Sequence, residues 1–308
     1  VNSCGDYGFM EVSMFIQQVI NGLTIGTTYA MVTIGFTMVY SILELANFAH
    51  SSFYMLGAYL SMTTLMSFGL SRSVFLLGLV ISVAVCGSLG ALMDRFTLRL
   101  IRNRTDSDIT AMLCTVGVQT AIDNSILVIF GSETKPFPNV ISSTKIAVGN
   151  AVISYTQIVI LITAVILMVG LSFFVYRTKM GSAMRAVSQN LEAAKLMGIN
   201  TGQVVTLTFF IATGIAAISG TLVGSYYQAN DIMMSASVGS KSFAAAVLGG
   251  MGSLPGAVLG GIIIGMVETM VAGYISSGFR DAVAFLILTV VLIVRPRGFF
   301  GQKQVIKV

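Results

Sequence analysis

Long apolar segments, almost free of charged residues, follow one another along nearly the whole chain. They run over these approximate ranges: 14–43, 53–70, 74–93, 109–130, 155–176, 204–227, 239–275 and 281–294. A helix of about 20 apolar residues crosses the ~30 Å hydrocarbon core of a bilayer, whereas a membrane β-barrel shows shorter segments of alternating character. The pattern therefore predicts an all-α fold, a polytopic transmembrane helical bundle of about eight spans.

The scarcity of charge excludes a soluble globular fold. Only 9% of the 308 residues are charged, against about 25% in an average soluble domain. We expect three parts, namely an exposed tail at 1–13, a transmembrane domain at 14–301 and a cytoplasmic tail at 302–308. The first part has no basic segment ahead of an apolar one, so a cleaved signal peptide is not expected.

Basic residues fall into three clusters that set the predicted topology. They lie at 95–104, 177–195 and 295–307, and positive charge is retained on the cytoplasmic side of a membrane. An even number of crossings must then separate neighbouring clusters, which requires two helices within 239–275. The net charge of +5 is explained by this topology and gives no reason to expect nucleic-acid binding.

Two interruptions divide the apolar pattern in corresponding places of the two halves. The first is the polar segment 44–52, and the second surrounds Pro255 in Gly252-Ser-Leu-Pro-Gly256, where proline and glycine end one helix and begin another. Such breaks at membrane depth must be packed in protein or face a watery cavity, and transporters often repeat them around a substrate site. We expect an internal repeat with re-entrant elements, a pathway near both breaks, and a bend or break in the long run 14–43 at its glycines.

Four polar residues draw attention because ionisable or polar groups within membrane segments usually have a function. Asp123 and Glu268 are interpreted either as lining of a substrate route or as structural hydrogen-bond partners. His50 and Asn47 lie in the first break, where a helix cap or an interface role is the alternative to substrate contact. There is no GxxxxGK[ST], GxSxG or HExxH motif, one histidine and three scattered cysteines, so we expect no nucleotide, catalytic or metal site in this chain.

A polar island at 177–203 separates two of the apolar segments. It predicts a short amphipathic helix that is capped by Ser182 and ended by Gly198. Apolar side chains at helical spacing form a narrow stripe, consisting of Met184, Val187, Leu191 and Ala194. We interpret this stripe as a docking face for a soluble protein, and an interfacial helix lying on lipid is the alternative.

Several blocks of sequence resemble one known family. They are Asn21-Gly-Leu-Thr-Ile-Gly-Thr-Thr-Tyr-Ala30, Asn47-Phe-Ala-His50, the polar island with Gly181 and Arg185-Ala186, the glycine-rich block 248–261, and Arg295-Pro296 near the end. In their order and spacing, over about 14–301, they are similar to the permease subunits of bacterial branched-chain amino acid ABC importers, of the LivH type. That family usually has glycine directly after Asn-Phe-Ala-His, and this chain has Ser51, so the first break is expected to differ in shape.

The resemblance implies a multi-pass, non-catalytic permease subunit in the inner membrane. Its expected partners are a second homologous permease, two cytoplasmic ATPases that bind ATP and Mg²⁺, a soluble substrate-binding protein and membrane lipid, and no cofactor is expected in this chain itself. The substrates implied are branched-chain, hydrophobic amino acids, and related permeases carry urea, short amides or other amino acids, with sugar permeases more distant. A stand-alone channel, and a membrane enzyme or scaffold, are the alternatives from other classes.

The resemblance and the pattern together give two sets of candidate residues. The set expected to couple to the ATPases, whose closure would move the polar island as a rigid lever, comprises Gly181, Met184, Arg185, Ala186, Val187, Asn190, Leu191, Ala194 and Gly198. The set expected along the translocation pathway comprises Asn21, Tyr29, Asn47, Phe48, His50, Asp123, Gly249, Gly250, Gly252, Gly256 and Glu268.

Overall fold

The computed structural model describes residues 3–102, 108–141, 145–148, 151–295 and 298–301, with 3–12, 102, 108 and 148 described by backbone alone. The helices are α1 (Ser3–Leu43), α2 (His50–Phe68), α3 (Arg72–Met93), a π-helical turn (Asp94–Leu98), α4 (Arg99–Arg102), α5 (Asp108–Phe130), α6 (Tyr155–Arg177), α7 (Lys179–Gln189), α8 (Leu191–Leu196), α9 (Thr201–Tyr227), α10 (Met234–Gly249), α11 (Leu254–Tyr274), a 3₁₀ turn (Ser277–Phe279) and α12 (Arg280–Val294). The strands are β1 (Lys135–Pro136), β2 (Lys145–Val148), β3 (Ala151–Ser154) and β4 (Ala229–Asn230).

Within the described ranges, seven helical segments are long and apolar enough to cross a membrane. One of them is formed by α3, the π turn and α4 together, and another by α12 with its 3₁₀ turn. The other five lie in α1, α5, α6, α9 and α11. Helix α2 has 19 residues, enough for a crossing, and most of its residues are buried within the bundle. The prediction of an all-α, polytopic bundle of about eight spans is confirmed.

Helix α1 is continuous, so the bend or break predicted near its glycines is wrong. Gly22 and Gly26 instead bring its backbone against α11, since a Cβ at Gly26 would lie 2.8 Å from the Cα of Ile262. Small residues allow this close approach of membrane helices. Residues 3–13 belong to α1, so residue 14 is no boundary of secondary structure, whereas the side chains of 1–12 and the predicted tail at 302–308 lie outside the described residues.

The apolar stretch 239–275 holds two helices, α10 and α11, as the sequence predicts. The turn between them contains Gly250 and Gly252 with φ of +97° and +92°, a backbone region that glycine enters without steric cost. Ser253 caps α11 by accepting a hydrogen bond from the N–H of the third residue beyond it, and Pro255 occupies the first turn. At 16 residues, α10 is about 24 Å long, shorter than the ~30 Å hydrocarbon core.

The described parts of the basic clusters lie at one end of the bundle. Arg99 donates to the carbonyl oxygen of Gly202 at 2.7 Å, which joins the π turn to the start of α9. The segment 298–301 meets the end of α10, where the N–H of Phe299 donates to the carbonyl of Leu248 at 2.9 Å. Helices α5 and α6 lie between the first two clusters in the chain and α9 to α12 between the last two, so the predicted cytoplasmic side corresponds to this end of the bundle.

Helix α9 occupies the centre of the bundle, packed against α1, α2 and α3. Its small residues permit this, because a Cβ at Gly220 would overlap the carbonyl oxygen of Tyr54 on α2. At the opposite end from the basic clusters, β1 pairs with β4 and β2 pairs with β3, both antiparallel. The apolar pattern of the sequence does not predict these short strands. The side chain of Gln17 holds the β2–β3 hairpin to α1 through both backbone groups of Val152, at 3.1 and 2.9 Å.

Candidate functional site

A cavity of about 320 Å³ lies at the first break, between α1, α2, α5, α10 and α12. One part of its wall is apolar, formed by Val32, Phe36, Phe48, Ala236, Phe243 and Phe285. The other part is polar, formed by Asn47, His50, Ser51, Gln119, Ser235, Ser240 and Ser242, with Gly239 between. The wall contains no charged side chain, so the cavity offers hydrogen bonds and apolar surface without a fixed charge.

The backbone at 44–49 brings three predicted pathway residues to this cavity. The segment begins at Glu44, whose φ of +56° turns the chain away from the helical path of α1. A turn follows, in which the N–H of His50 donates to the carbonyl of Asn47 at 3.3 Å. The N–H of Phe48 donates to the hydroxyl of Thr115 at 3.2 Å, which ties the break to α5. Asn47, Phe48 and His50 therefore lie where the sequence predicts a pathway.

Unsatisfied polar atoms are concentrated at this wall. The Nε2 of His50 lies 3.0 Å from the carbonyl oxygen of Val32, and its Nδ1 has no hydrogen-bond partner among the described residues. Within the same part of the chain, both amide atoms of Asn47 and the hydroxyl of Ser242 are also without a partner. Since His50, Asn47 and Ser242 are 1%, 3% and 1% exposed, these atoms carry a desolvation cost of about 1–3 kcal/mol each until a ligand or water meets them.

The apolar wall is built from aromatic rings. Phe243 of α10 packs edge-on against Phe36 of α1, with ring centroids 5.7 Å apart, and lies 6.4 Å from the ring of Phe48. Phe36 also meets the His50 ring at 6.3 Å. Gly35 leaves room for that imidazole, because a Cβ there would lie 2.7 Å from its Cε1 atom. A flat apolar group would therefore find aromatic surface on one side of the cavity.

Asp123, the predicted pathway residue of α5, clamps two helix starts beside the cavity. Its carboxylate accepts a hydrogen bond from Ser52 at 2.6 Å and one from Ser235 at 3.0 Å. These serines lie in the first turns of α2 and α10, whose N-cap residues provide no side-chain cap. A carboxylate is stabilised near helix N-termini. Asp123 does not line the cavity itself, and the structural interpretation of this residue is the one that its contacts support.

Ser51, the position at which the family usually has glycine, is part of the regular helix α2. A side chain at this position therefore requires no unusual backbone conformation. Its hydroxyl donates to the carbonyl of Phe48 at 3.2 Å, and it packs against Gly239, where a Cβ would lie 2.7 Å from the Ser51 hydroxyl oxygen. The serine adds one polar group to the cavity wall and occupies the space beside α10.

Tyr29 and Glu268, also predicted along the pathway, belong to a separate buried cluster around Lys241. The Lys241 ammonium lies 2.9 Å from carboxylate oxygens of both Glu268 and Asp281. Tyr29 donates to the other oxygen of Glu268 at 2.8 Å. The side chains of Lys241 and Glu268 are 6% and 5% exposed, so this network joins α1, α10, α11 and α12 inside the bundle. The sequence analysis missed Lys241, although it is the single charged residue of α10.

The remaining predicted pathway residues do not reach the cavity. Asn21 accepts hydrogen bonds from Gln17 and Gln157 at 3.2 and 3.0 Å. Gly249 and Gly256 press α10 against α11, because a Cβ on either would overlap backbone of the other. Gly250 and Gly252 form the turn described above. Across the described residues there is no group of three histidine, cysteine or acidic side chains that could hold a metal ion.

The polar island forms two helices, α7 and α8, in place of the single predicted helix. Thr178 caps α7, accepting a hydrogen bond from the N–H of Gly181 at 3.0 Å, so the assignment of Ser182 as the cap is wrong. Asn190, in extended conformation, ends α7 and caps α8 through the N–H of Ala193 at 2.9 Å. Gly198 has a φ of +82° and follows α8, as predicted for a helix stop.

The predicted apolar stripe faces the bundle, not the surface. Met184, Val187 and Ala194 are 4%, 2% and 5% exposed, and Leu191 packs beside them on the same core. Gly181 permits the sharp corner with α6, since a Cβ there would overlap two carbonyl oxygens of that helix. These residues hold α7 and α8 in place, so the stripe is covered by the chain itself and is not an exposed contact surface.

Arg185 and two apolar residues complete the description of this segment. Arg185 donates to the carbonyl of Val175 and lies over the ring of Tyr176, 5.6 Å from its centroid, so it ties α7 to the end of α6. The neighbouring Ala186 is half-buried. Leu196 and Met197, at the tip of α8, are 89% and 83% exposed. Neither residue belongs to the stripe at helical spacing, so the sequence pattern did not indicate them.

An uncharged cavity at a helix break, within a multi-pass bundle that carries a polar segment on its basic side, defines a membrane permease. The chain belongs to the family described as "Branched-chain amino acid transport system / permease component", whose profile matches residues 18–294. The permease is thus a subunit of an ABC transporter of the inner membrane.

Its curated relatives cover nearly the whole chain. It is 36% identical to the high-affinity branched-chain amino acid transport system permease protein LivH of Escherichia coli (strain K12) over 304 residues, 96% of this chain and 98% of the relative. It is 34% identical to the corresponding protein BraD of Pseudomonas aeruginosa over 307 residues, 97% and 99% of the two chains. The probable LivH of Methanocaldococcus jannaschii is 26% identical over 289 residues, 88% of each chain.

Proposed function

We propose that this permease imports branched-chain and other hydrophobic amino acids, delivered by a soluble binding protein and driven by two cytoplasmic ATPases. The observation that carries the proposal is the cavity at the first break, which joins an aromatic wall to a polar wall without fixed charge. An amino acid with an apolar side chain needs both kinds of wall. The names of the relatives support the substrate class, since LivH and BraD are branched-chain amino acid permeases.

The volume of the cavity favours a small ligand. Pockets for organic ligands span about 300–1,000 Å³, and this one, at about 320 Å³, lies at the lower limit. A wall without fixed charge also favours release of the ligand, because it forms no ion pair that would hold a charged group in place. A transport site needs such release, since the substrate must leave it as well as enter. Selection among amino acids would then rest largely with the binding protein, and the permease would accept what it is given.

A second permease is proposed to close the cavity. Helices α5 and α12 each contribute to the cavity wall, and only 11% and 6% of the residues in their most apolar stretches are buried. Phe285 and Gln119 reach the cavity from these two weakly packed helices. A membrane helix that touches so little of its own chain is available to pack against a second subunit, and a homologous permease placed here would complete the pathway.

The coupling to ATP hydrolysis is proposed to pass through α7 and α8. Their exposed tip, Leu196 and Met197, would insert into a groove of an ATPase subunit. Arg185 ties α7 to α6 through Val175, and α9 begins at Thr201, directly after the tip. Movement of the tip would therefore pull on α9, the central helix, which packs against α1 and α2, two helices that contribute residues to the cavity wall.

Reconstitution tests this proposal. The chain is purified together with the ATPases and the permease that are encoded beside it, and the binding protein is added. Uptake of labelled L-leucine into proteoliposomes is then measured with ATP and with a non-hydrolysable analogue. We expect uptake only with ATP and the binding protein, and no uptake with ATPases whose catalytic glutamate is replaced. Leucine flux that continues without ATP would contradict the proposal and favour a channel, whereas uptake of urea or short amides alone would replace the substrate class.

A further inference from the structure

The hydrogen bonds of His50 show which of its two ring nitrogens still needs a donor. The carbonyl oxygen of Val32, 3.0 Å from Nε2, can only accept, so Nε2 carries the proton and donates. An imidazole that is 1% exposed, with no carboxylate paired to it among the described ion pairs, is neutral. The other nitrogen, Nδ1, is therefore an acceptor, and it has no donor.

Asn47 offers the complementary pair of groups beside it. Its side chain is 3% exposed, and neither its acceptor oxygen nor its donor nitrogen has a partner. Native proteins leave few buried polar atoms unpaired, and clusters of them mark a bound water or ligand. The two residues that carry these two unfilled acceptors and one unfilled amide donor line the same cavity wall, together with Ser242, whose hydroxyl is likewise without a partner among the described residues.

We infer that Asn47 and His50 recognise the zwitterionic end of an amino acid. The ammonium would donate to His50 Nδ1 and Asn47 Oδ1, and Asn47 Nδ2 would donate to the carboxylate. The side chain would then lie against the rings of Phe36 and Phe243. This inference rests on the proposed function and deepens it, because it makes the permease itself a reader of the amino-acid backbone.

Neighbouring helices make the arrangement rigid. The His50 ring is held by Val32 and fits the space left by Gly35, and the turn at Asn47 is held by the backbone hydrogen bond from His50. Asp123, which clamps the first turns of α2 and α10, keeps a negative charge outside the cavity wall. An ammonium would gain from that charge at longer range, and a ligand with only a carboxylate would not.

Direct binding to the wild-type transporter tests the inference. The complete complex, in nanodiscs and without binding protein, is titrated with labelled L-leucine against three competitors of similar shape. 4-Methylpentanoate lacks the ammonium, 3-methylbutylamine lacks the carboxylate, and leucinamide replaces the carboxylate with an amide. We expect each to compete roughly tenfold or more weakly than leucine, since each loses a hydrogen bond to a charged group, with 4-methylpentanoate the weakest.

The variant Asn47→Asp changes the preference in a way that a structural role would not. A carboxylate at this position still accepts from an ammonium but repels a carboxylate, so leucine binding should weaken roughly tenfold or more while 3-methylbutylamine binds as well as before or better. Asn21→Asp is the matched control, because the oxygen of Asn21 already accepts from Gln17 and Gln157, and it should leave the order of ligands unchanged.

The outcomes separate this inference from the proposed function. Equal competition by leucine and 4-methylpentanoate in the wild-type complex would overturn the inference, even where ATP-driven leucine uptake is intact. An unchanged order of ligands in Asn47→Asp would overturn it as well. Where Asn47→Asp does not assemble, His50→Leu is compared with His50→Gln, and only the glutamine, which keeps an acceptor and a donor, should retain measurable leucine binding.

Discussion

At the scale of single residues, the ammonium of Lys241 is shared by two carboxylates inside the membrane domain. Glu268 is 4% exposed and cannot be hydrated if its partner is lost, whereas Asp281 is largely exposed. Removing one partner of a buried pair leaves an uncompensated charge, which costs about 3–5 kcal/mol. The cluster therefore contributes mainly by neutralising Glu268 where α10 meets α11.

We predict that Lys241→Met lowers the stability of the complex by about 3 kcal/mol or more, and that the double change with Glu268→Gln restores most of it. The measurement is the thermal unfolding midpoint of the purified complex, followed by fluorescence. Asp281→Asn serves as the control, because its carboxylate keeps contact with water. Equal midpoints for the Lys241→Met and wild-type complexes would contradict this account of the cluster.

The sequence predicted part of the site at this scale, for reasons that can be named. Asn47 and His50 stood out as polar residues in a break between apolar runs, and this signal depends on local order alone. The cluster at Lys241 did not stand out, because its partner Glu268 is 27 positions away and only the packing of α10 on α11 brings the two together. Asn21 and Gly256 lie in conspicuous motifs, yet they serve helix packing.

At the scale of elements, the ends of helices can be predicted from local sequence. Which face of a helix is buried cannot, because that depends on the rest of the chain. Gly252, Pro255 and Gly256 sufficed to predict the α10–α11 turn. In the polar island both Thr178 and Ser182 are residue types that cap helices well. Because α6 ends at Arg177, α7 begins directly after Thr178, which therefore becomes its cap. Spacing identified the stripe containing Met184, but spacing gives no information on whether a stripe is covered by the same chain.

The clamp at Asp123 gives a prediction for three helices. We expect Asp123→Ala to release α5 from the first turns of α2 and α10 and to lower leucine uptake several-fold. Asp123→Asn should be milder, because the amide oxygen still accepts from one serine and the amide nitrogen can donate to the hydroxyl oxygen of the other. Ser52→Ala should add little to the effect of Asp123→Ala, because both changes remove the same hydrogen bond between these two residues. Fully additive losses of uptake in the double variant would show that the two residues act separately.

The tip of α8 gives a second prediction at this scale. Leu196→Asp with Met197→Asp should abolish co-purification of the ATPases and uptake, because a charged tip would not enter an apolar groove. The permease should still reach the membrane, as both side chains are exposed. Ser182→Asp, on the exposed face of α7, is the control and should keep the ATPases bound. Retention of the ATPases by the double variant would remove the tip from the coupling contact.

At the scale of the whole molecule, the bundle is packed on one side and open on the other. Helices α1, α2 and α9 bury most of their surface, while α5 and α12 touch little of the described chain. We predict that a photo-crosslinking residue at Val128 of α5, which is 84% exposed, captures the second permease. The same residue at Val165 of α6 should capture lipid. Capture of the second permease from α6 and not from α5 would place the subunit interface elsewhere.

The measurement that tests the central claim most directly is protection of the cavity by substrate. In a complex whose cysteines are replaced, Ser240→Cys is labelled with a small thiol reagent in the presence and absence of L-leucine, with Ser276→Cys, outside the cavity, as reference. If the cavity at the first break carries the substrate, leucine slows labelling at position 240 and leaves position 276 unchanged. Equal labelling rates at position 240 with saturating leucine, in a complex that still imports leucine, would contradict the account.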